Sequence, residues 1–323
     1  MRAIRVERYG GPEVLQVHDL EPLHPGPGQV LVDVAASGVN YVDTYQRAGT
    51  YQVPLPFLSG VEGAGIVAAL GDGVTDLEVG DRVGWVAAPG SYAEQVLLPT
   101  DKAIPVPEGV ALEVAAAVLL QGLTAHYLCT STYPVQAGDT ALVHAAAGGV
   151  GLLLTQMVGK LRGARVIATV SSEEKAALAR AAGADEVIRY DQVDFAAEVR
   201  LLTADAGVEV VYDGVGRTTF DGSLASLRRR GLLVLYGAAS GPVPPLDPLR
   251  LMAGSVFLTR PTLAHYTATR DELLARAQAV FDWVAAGRLS VRIGGRYALS
   301  DARKAHEDLQ GRRTTGKLVL VPG

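Results

Sequence analysis

The chain has 323 residues, 49% of them hydrophobic, and a mean hydropathy of +0.21, enough apolar material for two packed cores at roughly 100 to 200 residues per domain. A net charge of -5 and a pI near 5.7 disfavour a broad nucleic-acid-binding surface, and Cys129, the only cysteine, excludes an intrachain disulfide and any multi-cysteine metal site. No apolar run approaches the ~18 uninterrupted residues that cross a bilayer, and the opening "MRAIRVERYGG" alternates charge with apolar residues instead of reading as a signal peptide, so a soluble cytoplasmic protein is expected.

In chain order, the first 110 residues are short Val/Ile/Leu runs cut by Gly and Pro, as in "HPGPGQVLVDVAA", "GAGIVAALGDGV" and "LEVGDRVGWV". That spacing predicts a small antiparallel barrel. From about residue 113 longer units alternate: "EVAAAVLLQGLTAHYLCT" as helix, "TALVHAA" as strand, "GVGLLLTQMVGKLRG" as helix, "RVIATV" as strand, "SSEEKAALARAAGA" as helix and "EVIRY" as strand. Such βαβ alternation predicts a doubly wound parallel sheet. "VEVVYDGVG" and "GLLVLYG" continue it, "RDELLARAQAVFDWVAAG" reads as a helix, and the tail "YALSDARKAHEDLQGRRTTGKLVLVPG" reads as helix plus strand rejoining the first domain.

The strongest chemical signal is the turn "LVHAAAGGVGLLL", where Ala146, Gly148 and Gly151 occupy the three positions of a G-x-G-x-x-G fingerprint. It follows an apolar strand and opens an apolar helix, the context in which such a turn holds a dinucleotide pyrophosphate. Gly148 permits close approach of the phosphates and Gly151 close packing of helix on strand. After the second strand, where NAD-binding versions carry an acidic residue for the ribose hydroxyls, stand Ser171, Ser172 and Lys175, two hydroxyls and a cation that suit a 2′-phosphate and hence NADPH. A rival reading makes Ser171 and Glu174 a capping box and leaves Glu173 to the ribose.

The order of barrel, "HAAAGGVG" and "VSSEEKAALARAAGADEVIRY", together with "SGVNYVDTYQRAG", "GVEGAG", "GLTAHY" and "LTRPTL", resembles the zinc-independent quinone oxidoreductases of the medium-chain dehydrogenase/reductase superfamily over nearly the whole chain. The resemblance implies an α/β protein: a GroES-like antiparallel barrel catalytic domain over 1–122 and 265–323, and a doubly wound Rossmann domain over 123–264 that binds NADPH. Beside the residues already named, it implies cofactor contacts at Asn40, Tyr45, Thr124, Ala147, Gly149, Val150, Tyr190, Gly214, Tyr236, Gly237, Ser240 and Arg312, with Arg313 a one-residue alternative. A homodimer joined through the edge strand "GSVFLTRP" is also implied.

Zinc alcohol dehydrogenases of the same superfamily hold their catalytic metal at positions that here carry Asn40, Val61 and Gln121, and their cysteine-rich structural-zinc lobe is missing between Trp85 and Tyr92. Neutral amides and a valine cannot replace thiolate and imidazole. Without a Lewis acid the acceptor must already be electrophilic, as a quinone is, and Asn40, Tyr45, Tyr51 and Gln121 are the candidate donors to its carbonyl. The plain structural readings are an N-cap pair for Asn40 and Asp43 closed by Gly49, half-buried aromatics for Tyr45 and Tyr51, strand-end packing for His144 and a helix core position for Cys129. His18, His24, His265 and His306 are scattered and paired with no nucleophile. Reduction of an enone or enoyl C=C is the rival activity, and a crystallin-like or RNA-binding role the non-enzymatic one.

Overall fold

The computed structural model describes all 323 residues, which divide into two units: Met1–Leu120 with Thr269–Gly323, and Gln121–Ala268.

In the first unit the chain alternates apolar and polar residues, and the strands pair largely antiparallel. The main sheet runs in the order Ile293–Ala298, Lys317–Val321, Gln29–Val39, Glu62–Leu70, Arg82–Val86, Ile104–Pro105, with Gln95–Pro99 also pairing to Gln29–Val39. The eleven-residue strand Gln29–Val39 is the spine: Val30, Val32 and Val34 enter a core with Val67, Val83, Trp85 and Leu98. Its ladder with Glu62–Leu70 shifts register twice, between Leu31 and Val32 and between Val34 and Ala36, and such bulges bend and twist a strand toward closure. The C-terminal strand Lys317–Val321 pairs antiparallel with the far end of Gln29–Val39, so the tail rejoins the first unit as the sequence suggests. A second sheet, Gln16–Asp19, Arg2–Val6 and Phe57–Leu58, covers a core shared with the helix Ala302–Gln310.

The second unit holds a six-stranded parallel sheet in the order Glu186–Arg189, Arg165–Val170, Thr140–Val143, Val208–Asp213, Leu227–Leu235, Phe257–Thr259. Its central strands are buried on both faces, as Leu142, Val166, Ala168 and Val211 are, which is why they read as continuous apolar runs. Chain order reverses between Thr140–Val143 and its neighbour Val208–Asp213, and ligands of open α/β sheets bind beyond the strand ends at such a switch point.

One helix exceeds its expected span of residues 113–130 only slightly. Leu112–Tyr127 continues through a wider turn to Thr132, giving 21 residues that contain an 18-residue stretch of mean hydropathy 1.4, long and apolar enough by composition to cross a membrane. The polar residues Gln121, Thr124 and His126 hid this run from a count of uninterrupted apolar positions. Some 72% of that 18-residue stretch is buried inside the protein, and a helix surrounded by core is apolar on every face.

Candidate active site

In the second unit the strand Thr140–Val143 ends in His144, and the helix Gly149–Gln156 begins after Gly148, which caps it with no side chain. The first-turn N–H groups, those of Gly149, Val150 and Gly151, have no partner within the helix and carry the positive end of its dipole. Ala147 is buried beneath them. A Cβ at Gly151 would sit 2.7 Å from the Ala146 Cα, whereas one at Gly148 would meet only the Ala145 carbonyl at 3.2 Å. Gly151 therefore serves close helix packing and Gly148 leaves an open approach, an arrangement that fits a pyrophosphate.

At the end of the next strand, Ser172 is the N-cap of Glu173–Ala182, its hydroxyl accepting from the Lys175 N–H at 3.3 Å. The expected alternative of a Ser171–Glu174 capping box is one residue out of register. Ser171 is left outside the helix, where the Lys175 ammonium donates to its hydroxyl at 3.2 Å. Glu173, the rival ribose ligand, is held by Arg180 at 2.8 Å and faces Arg189 at 3.8 Å. Tyr190 follows the adjacent strand, its N–H bonded to the Val170 carbonyl, and is 42% exposed. The structure thus gathers Ser171, Ser172, Lys175 and Tyr190 at two neighbouring strand ends.

Beyond the switch point, Gly214 and Gly237 meet back to back: a Cβ on Gly214 would lie 2.8 Å from the Tyr236 ring, and one on Gly237 2.8 Å from the Gly214 Cα. Ser240 spends its hydroxyl on this loop, donating to the Val215 carbonyl at 2.8 Å and accepting from the Thr218 N–H at 3.1 Å. Asp213 accepts from the Val215 and Gly216 N–H groups and from the Thr219 and Ser223 hydroxyls. His144 completes the cluster, 2.8 Å from Thr169 Oγ1 and 3.0 Å from Ser223 Oγ. Burial holds its imidazole below the usual histidine range, so it packs the strand end as a neutral ring. Gln121 and Thr124, on the apolar helix, are 7% and 8% exposed.

In the first unit the candidate donors lie on and after the helix Tyr41–Arg47. Tyr45 and Tyr51 meet edge to face at 5.3 Å, with the Tyr51 N–H on the Tyr45 carbonyl, and Tyr51 is 45% exposed. Asn40 and Asp43 form a capping box at the start of this helix, and Gly49 beyond its end has φ +76°. The Asn40 side chain is turned inward. Its Nδ2 donates to the Gly38 carbonyl at 3.1 Å and to Glu62 at 3.0 Å, while its Oδ1 accepts from the Lys317 ammonium at 2.7 Å. Lys317 and Glu62 lie 2.5 Å apart, both almost fully buried, and the other Glu62 oxygen accepts from the Leu120 N–H at 2.6 Å.

The network runs on along the helix. Asp43 accepts from the Asn40 N–H at 2.8 Å and from the Tyr92 hydroxyl at 2.9 Å. Tyr92, having donated there, accepts from His306 Nε2 at 3.1 Å, which leaves His306 Nδ1 to accept from Arg47 at 3.2 Å. Burial lifts the Asp43 carboxyl to about 7 against the pull of Tyr92, Asn40 and Lys317. Burial and the Arg47 charge press His306 down to about 3, and burial lowers Lys317 against the pull of Glu62. His306 is therefore not a scattered histidine. Glu62, Lys317, Tyr92 and His306 were missed as site residues; the local signals were a glutamate inside the apolar "GVEGAG" and a lysine opening "KLVLV".

Arg312 is exposed in the first unit with φ +55°, and its neighbour Arg313 is occupied by Asp308 at 2.8 Å. Val61 is a buried core valine, and no three His, Cys, Asp or Glu side chains gather as a metal site would require.

A barrel-type unit built from both ends of the chain and an inserted doubly wound unit with a dinucleotide turn define a medium-chain dehydrogenase/reductase. Residues 26–108 match the alcohol dehydrogenase GroES-like domain, and residues 149–283 the zinc-binding dehydrogenase family. A quinone oxidoreductase of Pseudomonas aeruginosa is 46% identical over 99% of both chains, and a 2-haloacrylate reductase of a Burkholderia species 42% identical over 98% of both. The solved structure of a mycobacterial protein complexed with NADPH is 53% identical, covers 100% of both chains and superposes with a TM-score of 0.96. The chain belongs to the quinone oxidoreductase family of the medium-chain dehydrogenases/reductases.

Proposed function

We propose that the chain is an NADPH-dependent, zinc-independent quinone oxidoreductase. The observation that carries this reading is the pairing of an uncapped dinucleotide turn with a catalytic unit offering phenols and amides where a metal would need thiolate and imidazole. Bound NADPH supplies the hydride or electrons. Gly148 to Gly151 hold its pyrophosphate, and Ser171, Ser172, Lys175 and Tyr190 its adenosine 2′-phosphate. Gly214, Tyr236 and Gly237 shape the strand ends on the nicotinamide side. Tyr45 and Tyr51 donate to the carbonyl on which negative charge develops; Asn40, its amide engaged inside the protein, anchors the helix that carries Tyr45. Arg312 is a further cofactor contact.

The 2-haloacrylate reductase among the relatives supports a second reading, reduction of an activated C=C, which needs the same cofactor and donors. NADPH oxidation measured against a panel of quinones and a panel of α,β-unsaturated carbonyls decides between them: quinone turnover is expected to dominate, and turnover of enones alone overturns the choice. The protein works in the cytoplasm as a homodimer. The strand Phe257–Thr259 supports the dimer, being paired on one side only, with Phe257 60% exposed.

A further inference from the structure

We propose that Lys317 and Glu62 are positioning residues for reduction: a buried ion pair that sets the start of the helix Tyr41–Arg47 and thereby the Tyr45 phenol. This rests on the reading of Tyr45 as a substrate donor.

Three features carry it. First, the pair is built around Asn40. Lys317 donates to the amide oxygen at 2.7 Å and Glu62 accepts from the amide nitrogen at 3.0 Å, so the two charges fix which way the amide faces. That amide belongs to the N-cap of the helix, and an N-cap sets where the first turn begins. Second, Glu62 binds two elements at once. Its second oxygen takes the N–H of Leu120 at 2.6 Å, so one carboxylate holds both the Asn40 amide and the backbone of the helix Leu112–Tyr127. Third, the fold makes room for the pair at its own expense. A Cβ on Gly38 would lie 2.7 Å from Lys317 Cε and 2.7 Å from the Ala116 carbonyl, and a glycine within a buried strand marks such a close approach.

A buried ion pair is poor evidence for stability, since an apolar pair of the same volume often serves as well or better. Fixing a polar geometry is the use that justifies this one. Lys317 enters from the last strand and Glu62 from the strand Glu62–Leu70, both rigid sheet elements. The opposite end of the helix is held independently, Arg47 donating to Gly10, His306 and Gln310, so removing the pair frees the first turn while the last stays anchored.

The test compares Lys317→Met, the neutral double variant Glu62→Gln/Lys317→Met, and Tyr45→Phe alone and in the double background. Each is read by Tm, by NADPH dissociation constant, and by kcat and KM for a quinone. Lys317→Met strands a carboxylate in the core and is expected to lower Tm; the double variant removes that burden and restores it. In the double variant kcat/KM for the quinone is expected to stay roughly tenfold to a hundredfold low with NADPH affinity unchanged, the scale of loss when a donor is displaced by about 1 Å. Tyr45→Phe then costs less in the double variant than in the wild type, because the phenol is already misplaced. A double variant with wild-type kcat/KM beside an impaired Tyr45→Phe overturns the positioning role alone, and a Tyr45→Phe protein with unchanged turnover overturns the reading of Tyr45 on which it rests.

Discussion

Asp43 makes the stability of the first unit depend on pH near neutrality. Its carboxyl is fully buried; Oδ2 accepts from Asn40 and Tyr92, and Oδ1 has no partner. Burial outweighs the two hydrogen bonds and the Lys317 charge, with Glu62 adding repulsion, and moves protonation from 3.8 up to about 7. In the unfolded chain the group is already ionised at about pH 6, while in the folded chain it keeps its proton until about 7. Its contribution to stability is therefore complete below the unfolded value and lost as the pH rises through about 7. Between about pH 6 and about pH 8.5 the loss is about 1 kcal/mol, from ionising a group with a midpoint near 7 against an unfolded state that does not titrate there. His306 and His144, pressed down by burial, act in the opposite sense, removing stability as the pH falls below the unfolded histidine range. Urea denaturation of the wild type and Asp43→Asn across this window cancels those terms, since both proteins share them. The wild type is expected to lose about 1 kcal/mol relative to the variant from the acid to the alkaline end. A difference that stays constant with pH refutes the assignment.

Lys175→Ala should weaken NADPH binding by roughly tenfold to thirtyfold, as the loss of a partly exposed hydrogen bond to a charged group implies, while leaving NADH nearly untouched; equal loss for both nucleotides defeats the 2′-phosphate assignment. The purified protein should contain no stoichiometric zinc by elemental analysis and keep its turnover under a chelator, whereas zinc whose removal abolishes activity overturns the metal-free reading. Light scattering at micromolar concentration should give a dimer that Phe257→Lys drives toward monomer, because a charge on the open edge blocks strand pairing; a wild-type monomer contradicts the interface.

What the sequence made legible was local. The dinucleotide turn could be read because strand, turn and helix lie within some fifteen residues, and the steric demand at Gly151 comes from Ala146, five positions away. Asn40 and Asp43 of the capping box stand only three positions apart and were read for the same reason. Where two local choices were equally good, register failed: two adjacent serines precede Glu173, and only the fold makes Ser172 the cap and Ser171 a partner of the Lys175 ammonium. The long buried helix was read to within two residues of its ends, and the polar Gln121 and Thr124 inside it are themselves covered.

The polar network of the first unit lay beyond this reach. Lys317 meets Glu62 across 255 residues of chain, and Tyr92 meets His306 across 214. No spacing rule connects such positions; the antiparallel pairing of Lys317–Val321 with Gln29–Val39 does, placing Leu318 opposite Val39 and so bringing Lys317 beside Asn40. Each member looked ordinary in isolation: a histidine in a polar helix, a lysine at a strand start, a glutamate among glycines. The charges of Lys317 and Glu62, buried singly, would cost several kcal/mol each, and that cost is the physical reason they occur together. A charge in an apolar strand is thus a request for a distant partner, which the sequence announces at Glu62 and only the topology answers at Lys317.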